Sequence, residues 1–514
     1  MKYHTPLILQ LVKLSQALVE LQAPLLSSST PDLHNVPSNL NAVNNAPDIF
    51  NTIHGAMRQW DNSLKHNGMS IYPVTVAENT IFYHGGISNK PINKTEWLAF
   101  EVEHAEAFIN IFPLSGGNGS LRYAGHVDES NNTGYLSTYR TTRPLNNVIY
   151  FDGMSAAKSK YGTLDIQDRV LLQNNDFKSY PGFEDFNRVH EICKLLPQVD
   201  GIIRMELGFE LIICDTSNKL ELLSITSHPQ HFYRNKTENV FWRSEYMRGV
   251  SIRYKGLVSG KISIDFSSMI SAFFYPFNLT NPNLKKAELP RIHPEEKEKI
   301  TRLRNDVVTL FNNQSRPQVF IRWQSIVDEL VTRYSDRLAY MESKKSNRLE
   351  MIHETKFLLE RFINRAELNL TASKEQCASL YLLPAMMAPM VTMSDIFIYE
   401  AVITVSREIC NSLFEVREKL LSRHDAAMVV EAKLMVKDLM KWLNWSTWKE
   451  CGKCDWDEVC FVAIWPWGTQ EDHDHPSCRK IDQWWPSLDY WDENFGDGNV
   501  EDQKMIPTNR HMLV

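Results

Sequence analysis

Short β-rich runs separated by turn residues fill the chain from about residue 71 to 290, and stripes at helical spacing fill it from about 291 to 445. Thr80-Ile-Phe-Tyr83, Asn147-Val-Ile-Tyr-Phe151, Gly201-Ile-Ile-Arg204 and Glu210-Leu-Ile-Ile213 read as strands. Glu101 to Ile111 and Asp185 to Leu196 read as helices between them. This alternation predicts an α+β domain over 76–290 rather than a β-sandwich. Pro294 and the acidic residues after it open the helical stretch, with proline in the first turn and negative charge near the positive end of the helix dipole. Trp323, Ile326, Leu330 and Tyr334 form one stripe, and Met351, Phe357, Leu358 and Phe362 a second. Val405 to Leu421 and Ala426 to Leu443 add two more helices, so 291–445 is expected to be a helical bundle.

The remaining segments lack a clear period. Residues 24–75 begin rich in Ser, Pro and Asn and read as a leader or surface linker, with a short helix and turn over Trp60 to Gly68. Residues 446–514 hold four of the eight cysteines, and nine of the thirteen tryptophans lie between Trp442 and Trp491. A chain of 514 residues exceeds one ordinary core, and 43% hydrophobic with 23% charged residues excludes bulk disorder. A net charge of −7 implies no basic face, which argues against a nucleic-acid partner.

Compartment is read from three features. Residues 1–23 carry Lys2 before an apolar run from Leu7 to Leu14, the layout of a secretory signal peptide. Leu7, Leu11, Leu14 and Leu18 also share one helical stripe, so an amphipathic helix is the alternative. Asn93, Asn118, Asn131, Asn235, Asn278, Asn313, Asn369 and Asn444 each begin an N-x-S/T sequon. Cys451, Cys454, Cys460 and Cys478 suit disulfides in a secreted chain, or zinc with His473 or His475 in an intracellular one. Secretion and disulfides are the expectation. The tail tryptophans are expected to form the tail's own small core, or, if exposed, to stack on cell-wall glycan or protein. Cys377 to Met393 is broken by Pro384 and Pro389 and reads as a buried Met-rich corner, so no segment is expected to span a membrane.

Candidate chemistry gathers on the first domain. Tyr83-His84-Gly85-Gly86 ends a strand, where glycine lets backbone approach a ligand closely. Trp97 and Phe100 can sandwich a planar ring or fill core. Tyr139 and Arg140 lie on the Gly134 to Leu145 segment, with Arg140 and Arg143 available to a pyrophosphate or to the surface. Met205-Glu206-Leu-Gly-Phe-Glu210 places two carboxylates at one strand parity beside an apolar run. Gly153-Met-Ser-Ala-Ala-Lys158 lacks the second glycine of a phosphate-binding loop, and Ser155-Ala-Ala-Lys158 lacks the companion motifs of β-lactamase-like enzymes.

His84-Gly85, the aromatics of 96–100 and Glu210, in that order, resemble ADP-ribosyltransferases of the His-aromatic-Glu class over residues 76–225. The resemblance implies NAD held between two small sheets and a protein acceptor or water. His84 would hold the adenosine ribose, Gly85 the nicotinamide amide, and Glu210 the nicotinamide ribose as an oxocarbenium-like transition state forms. The sequence departs from that family at Gly86, where Thr or Ser is usual, and in lacking a ring-stacking Tyr, for which Trp97 or Phe100 substitutes. Glu206 is a second candidate acid. Asn62 to Met69, Gly134 to Leu145 and Asp152 to Lys158 also resemble a group of fungal, secreted proteins without an assigned mechanism.

Overall fold

The computed structural model describes residues 36–109, 133–174, 185–229, 245–257, 260–313, 321–422, 426–480 and 490–491. The expected signal segment 1–23, the sequons at Asn118, Asn131 and Asn235, and the Trp484-Trp485 pair lie outside them.

The leader expected over 24–75 ends by Ser38, whose side chain accepts from the Asn41 amide and opens helix α1 (Asn39–Asn44). Helix α2 (Ala46–Gly55) carries a proline in its first turn and buries Ile49, Phe50 and Ile53. Every residue of α3 (Gln59–Leu64) is buried. The polar composition of this segment conceals its role because the asparagines are spent on backbone carbonyls. Asn51 donates to Leu443 O and Asn62 to Gly55 O, each at 2.9 Å. Buried amides satisfied in this way cost little, so the segment belongs to the core.

Strands β1 (Ser70–Val76), β2 (Ile81–Gly86) and β3 (Glu96–Ala99) precede helix α4 (Val102–Ile109). Then come β4 (Thr133–Thr141), β5 (Leu145–Phe151), α5 (Asp185–Leu195), β6 (Gly201–Glu206), β7 (Gly208–Ile213), β8 (Leu220–Pro229), β9 (Ile262–Ile264) and β10 (Ile270–Ser271). They form one sheet in the order β10-β1-β5-β6-β7-β3-β2-β4-β8, with β9 also against β1. Only β5 and β6 pair in parallel, through the crossover that contains α5; the other pairings are antiparallel. β6 and β7 are central and buried along their whole length.

The helical half is α6 (Lys297–Asn312), α7 (Trp323–Glu342), α8 (Arg348–Leu359), α9 (Leu370–Ser379), the short α10 (Leu383–Met386), α11 (Met393–Ser422) and α12 (Ala426–Leu443). The α7 stripe of Trp323, Ile326, Leu330 and Tyr334 is buried, as its spacing predicts. Phe357 departs from the second stripe and is 67% exposed, because six residues past Met351 turn it well off the buried side. Met387 and Met390 are also exposed, so the 377–393 corner is buried only in part. Among the described residues no helix is long and apolar enough to cross a membrane.

One apolar cluster runs from Ala42 through the sheet and the bundle to Trp491. Asp395 at the start of α11 ties the halves, taking hydrogen bonds from Trp323 Nε1 and the Ser267 hydroxyl, both at 2.7 Å. The tail adds β11 (Glu458–Phe461), α13 (Gln470–Asp474) and β12 (Ser477–Lys480). Among the described residues the tryptophans from Trp442 onward do not form a separate core. Trp445 stacks on Phe50, and Trp491 packs on His66. The tail cysteines pair as Cys451–Cys460 and Cys454–Cys478, as the disulfide reading expects, and Cys193–Cys214 and Cys377–Cys410 also pair, where the sequence leaves buried thiols equally open.

A pH effect arises just after β5. Burial pushes the Asp152 carboxyl from 3.8 up to about 7, against the hydrogen bonds from the Ser70 amide and the Thr52 hydroxyl. A folded value above the unfolded one gives stability that is full below pH ~4 and is lost as pH rises through ~7. Asp152→Asn should remove about 1–2 kcal/mol of that loss. Urea midpoints of the two proteins between pH 4 and 8 should therefore converge at the acid end and separate at the neutral end, the variant being the more stable there.

Candidate active site

The apolar strands β6 and β7 carry charge inward on one side of a tight reversal at Leu207. Arg204 lies opposite Glu210, and Glu206 opposite Gly208. Gly208 has φ +105°, and a Cβ there would lie 2.9 Å from His104 Nδ1 and 3.2 Å from Glu101 Oε2. Only glycine lets the hairpin approach α4 this closely without strain. Sequence parity alone places Glu206 and Glu210 on one strand; the reversal puts them on two.

Two linked charge groups result. In the deeper one, Arg204 Nε donates to Glu210 Oε1 at 2.9 Å, Nη1 to Asp185 Oδ1 at 2.9 Å and to Gln167 Oε1 at 3.1 Å. Arg188 donates to Asp168 at 2.6 Å and to Asp185 at 2.7 Å. Burial alone would raise the Asp185 carboxyl, but Arg204 and Lys158 outweigh it and hold the group well below its usual range. Arg204 is likewise held in its charged form by Asp185 and Glu210 against the cost of burial.

In the outer group, Lys158 Nζ donates to Glu206 Oε2 at 2.8 Å, and His104 Nε2 lies 3.9 Å from Glu206 Oε1. His104 is fully buried, and among the described residues neither ring nitrogen has a hydrogen-bond partner; nor does Glu101 Oε2, although Arg253 holds Oε1 at 3.0 Å. Burial would depress the imidazole, but Glu206, Glu101 and Glu210 outweigh it and raise its pKa. Glu206 shifts the opposite way, burial being outweighed by Lys158 and His104, so it stays a carboxylate. Such a pair can give and take protons at neutral pH. Orphaned buried polar atoms beside perturbed titratable groups make this a candidate functional site.

Aromatic rings border the outer group. His104 lies 5.8 Å from Trp97 and 5.9 Å from Tyr246, and Trp97 lies 5.1 Å from His84. His84 Nδ1 donates to the Trp97 carbonyl at 2.9 Å, which fixes the ring's orientation; burial lowers its pKa. His84, Trp97 and Glu206 thus fall in one line through His104. Glu210 faces the same centre but is occupied by Arg204. Gly85 does not face the line, since a Cβ there would lie 1.9 Å from Ala105 O, under α4. Phe100 packs on Phe82 at 4.8 Å within the core. The Tyr139 hydroxyl accepts from the Ile92 amide at 3.0 Å, and Arg140 is paired with Glu221. Tyr139 and Arg140, on β4, are separated from β7 by β3 and β2, a sheet order invisible in the sequence; Phe100 lies next to β7, its amide bonded to Phe209 O at 3.2 Å, but its ring is spent on Phe82.

His104, Lys158, Arg204 and the α5 pair Asp185 and Arg188 come from four separate stretches of chain, so no single motif spans them. The available signal is charge inside an apolar strand, Ile202-Ile-Arg-Met-Glu206.

Residues 38–133 and 118–233 match the family model described as the YPL277C N-terminal domain. Two Saccharomyces cerevisiae proteins, the uncharacterized proteins YPL277C and YOR389W, are 32% identical to the chain over 213 and 214 residues. The match covers 35% of this chain in both cases, and 43% and 33% of the two relatives, so less than half of either is spanned. Both findings support an uncharacterised fungal family. No solved structure matches the chain. The residues matched by the family model contain His104, Lys158, Asp185, Arg204, Glu206 and Glu210, and exclude Arg253, Tyr246 and the tail.

Proposed function

We propose that the chain is a secreted enzyme that breaks a glycosidic bond at the His104–Glu206–Lys158 centre, with NAD as its substrate and water or a protein side chain as acceptor. The observation that carries this reading is a buried carboxylate held between an ammonium and an imidazole whose ring nitrogens are unused. The row of rings leading to His84 and the sequence resemblance of His84-Gly85, the 96–100 aromatics and Glu210 to ADP-ribosyltransferases favour NAD. In the proposed step the bond from the ribose carbon to the nicotinamide nitrogen breaks, and its electron pair leaves with nicotinamide. Glu206 stabilises the positive charge left on the sugar. Water then adds at that carbon and passes its proton to Glu206, or an acceptor side chain does so. Glu206 takes this role rather than Glu210 because His104 lies beside its second oxygen, whereas Glu210 is bonded twice to Arg204.

Purified protein should release nicotinamide from NAD, and Glu206→Gln, which keeps the side chain's shape but weakens the Lys158 pair, should slow release about a hundredfold or more in protein that still melts cooperatively. Chromatographic assay of nicotinamide, with calorimetric titration of NAD, checks this. A flat titration and no release from the wild type would remove NAD.

A second reading, a non-enzymatic secreted glycoprotein that binds cell wall, is favoured by a specific feature of the tail. Trp456 is 86% exposed within the loop closed by Cys451 and Cys460. Its support also includes the four disulfides and the exposed asparagines at 93, 278, 313, 369 and 444. Retention on insoluble wall glucan that is lost in Trp456→Ala, without nicotinamide release, would favour it over the enzyme.

A further inference from the structure

We propose that the tail turn Trp465–Trp467 forms one wall of the Glu206 centre and that Trp465 is a specificity-determining residue for a planar, cationic nitrogen heterocycle, the pyridinium class. This rests on the reading of that centre as a ligand site.

The turn reaches the centre by two separate contacts. Lys158 Nζ, which donates to Glu206, lies 4.9 Å from the Trp465 ring centroid. Trp467 meets Tyr246 edge-on at 6.1 Å, and Tyr246 stacks on His104. Tyr246 is itself fixed to the hairpin by a 2.6 Å hydrogen bond from its hydroxyl to Leu207 O. Trp97, Trp465 and Trp467 are each half-buried, so ring faces remain for a ligand at the edge of the cluster.

The turn is built to hold its shape. Ile464 and Trp467 exchange both backbone hydrogen bonds, at 2.8 and 2.6 Å. Gly468, at φ +124°, lies against Ala463 so closely that a Cβ would sit 2.5 Å from its Cα. Trp491 Nε1 donates to Trp467 O at 3.1 Å. An aromatic wall positioned in advance loses little freedom when it binds.

The chemistry selects the ligand. Trp465 Nε1 is buried without a hydrogen-bond partner, and indole nitrogen can only donate, so it suits an acceptor such as a carboxamide oxygen on the ring. Glu101 Oε2 is a second orphan and can only accept while ionised. Each cation touching the centre already has a carboxylate: Lys158 has Glu206, Arg204 has Glu210 and Asp185, and Arg253 has Glu101. That pairing offers an anionic ring little. Indole faces and carboxylates together favour a cationic ring, through the aromatic quadrupole and direct attraction.

The full chain, its Trp465→Ala variant and Trp465→Phe are titrated by calorimetry with N-methylnicotinamide, a free pyridinium, and with ADP-ribose, which lacks the ring. N-methylnicotinamide should bind the wild type, at least about tenfold more weakly to Trp465→Ala, and recover in part with Trp465→Phe. ADP-ribose should not distinguish the three. Failure of N-methylnicotinamide to bind the wild type, or equal binding by Trp465→Ala, overturns the proposal. Binding that depends on Trp465 without any nicotinamide release from NAD sustains this wall while removing the proposed reaction, so the two are told apart.

Discussion

Replacing Arg204 by methionine should lower the unfolding free energy by about 3–5 kcal/mol, the cost of leaving buried carboxylates without their partner. Arg204 is fully buried and joins Glu210, Asp185 and Gln167 from three separate elements. Methionine fills much of the volume, so the loss is electrostatic rather than a cavity. Arg204→Lys should recover only part of it, because an ammonium cannot fork to Glu210 and Asp185 together. Adding Glu210→Gln to Arg204→Met should recover some stability by removing one stranded charge. Urea denaturation followed by circular dichroism measures all three. A loss below ~1 kcal/mol for Arg204→Met would mean that water reaches the carboxylates and the cluster is not a sealed network. Asp185 adds a pH signature: its folded pKa lies below the unfolded 3.8, so its contribution is present above that value and is lost as pH falls beneath it.

Removing the Cys377–Cys410 bridge by a double alanine substitution should cost about 3–4 kcal/mol, given the 33-residue separation it closes. Both cysteines are buried, one on α9 and one on α11, and the change also deletes two buried sulfurs. Helix α11 packs against α2, α8, α9 and α12, so loosening α9 should be felt across the bundle. The melting temperature under non-reducing conditions should fall by several degrees, with the sheet's signal lost in the same transition because one core joins the halves. Two separate transitions would instead show that the halves unfold independently.

Regular elements were legible wherever one periodicity dominated. The α7 stripe, β2, β5, β6 and β7 all lie within a few residues of their expected places, because apolar spacing reports which side faces a core. Phe357 shows the limit: apolar identity was read as burial although its angle on the helix points outward. The 38–75 segment shows the opposite error. Asn51 and Asn62 look like turn residues, but their amides satisfy buried carbonyls, a pairing known only once the partners are in place.

The candidate site was partly legible in the same way. His84, Trp97 and Glu206 could be chosen as chemically able, and the structure aligns them. Phe100, Tyr139 and Arg140 were equally able and lie elsewhere. No local pattern identifies His104 as the link between Trp97 and Glu206, or Lys158 as the partner of Glu206.

Local apolar spacing specified the strands and helices in which one period dominates, and composition supplied the eight cysteines and the acids, bases and rings. Which of them meet was set by the three-dimensional packing. Periodicity is a property of neighbours along the chain, whereas ion pairs, orphaned nitrogens and the tail's place beside Glu206 depend on sheet register and long-range packing.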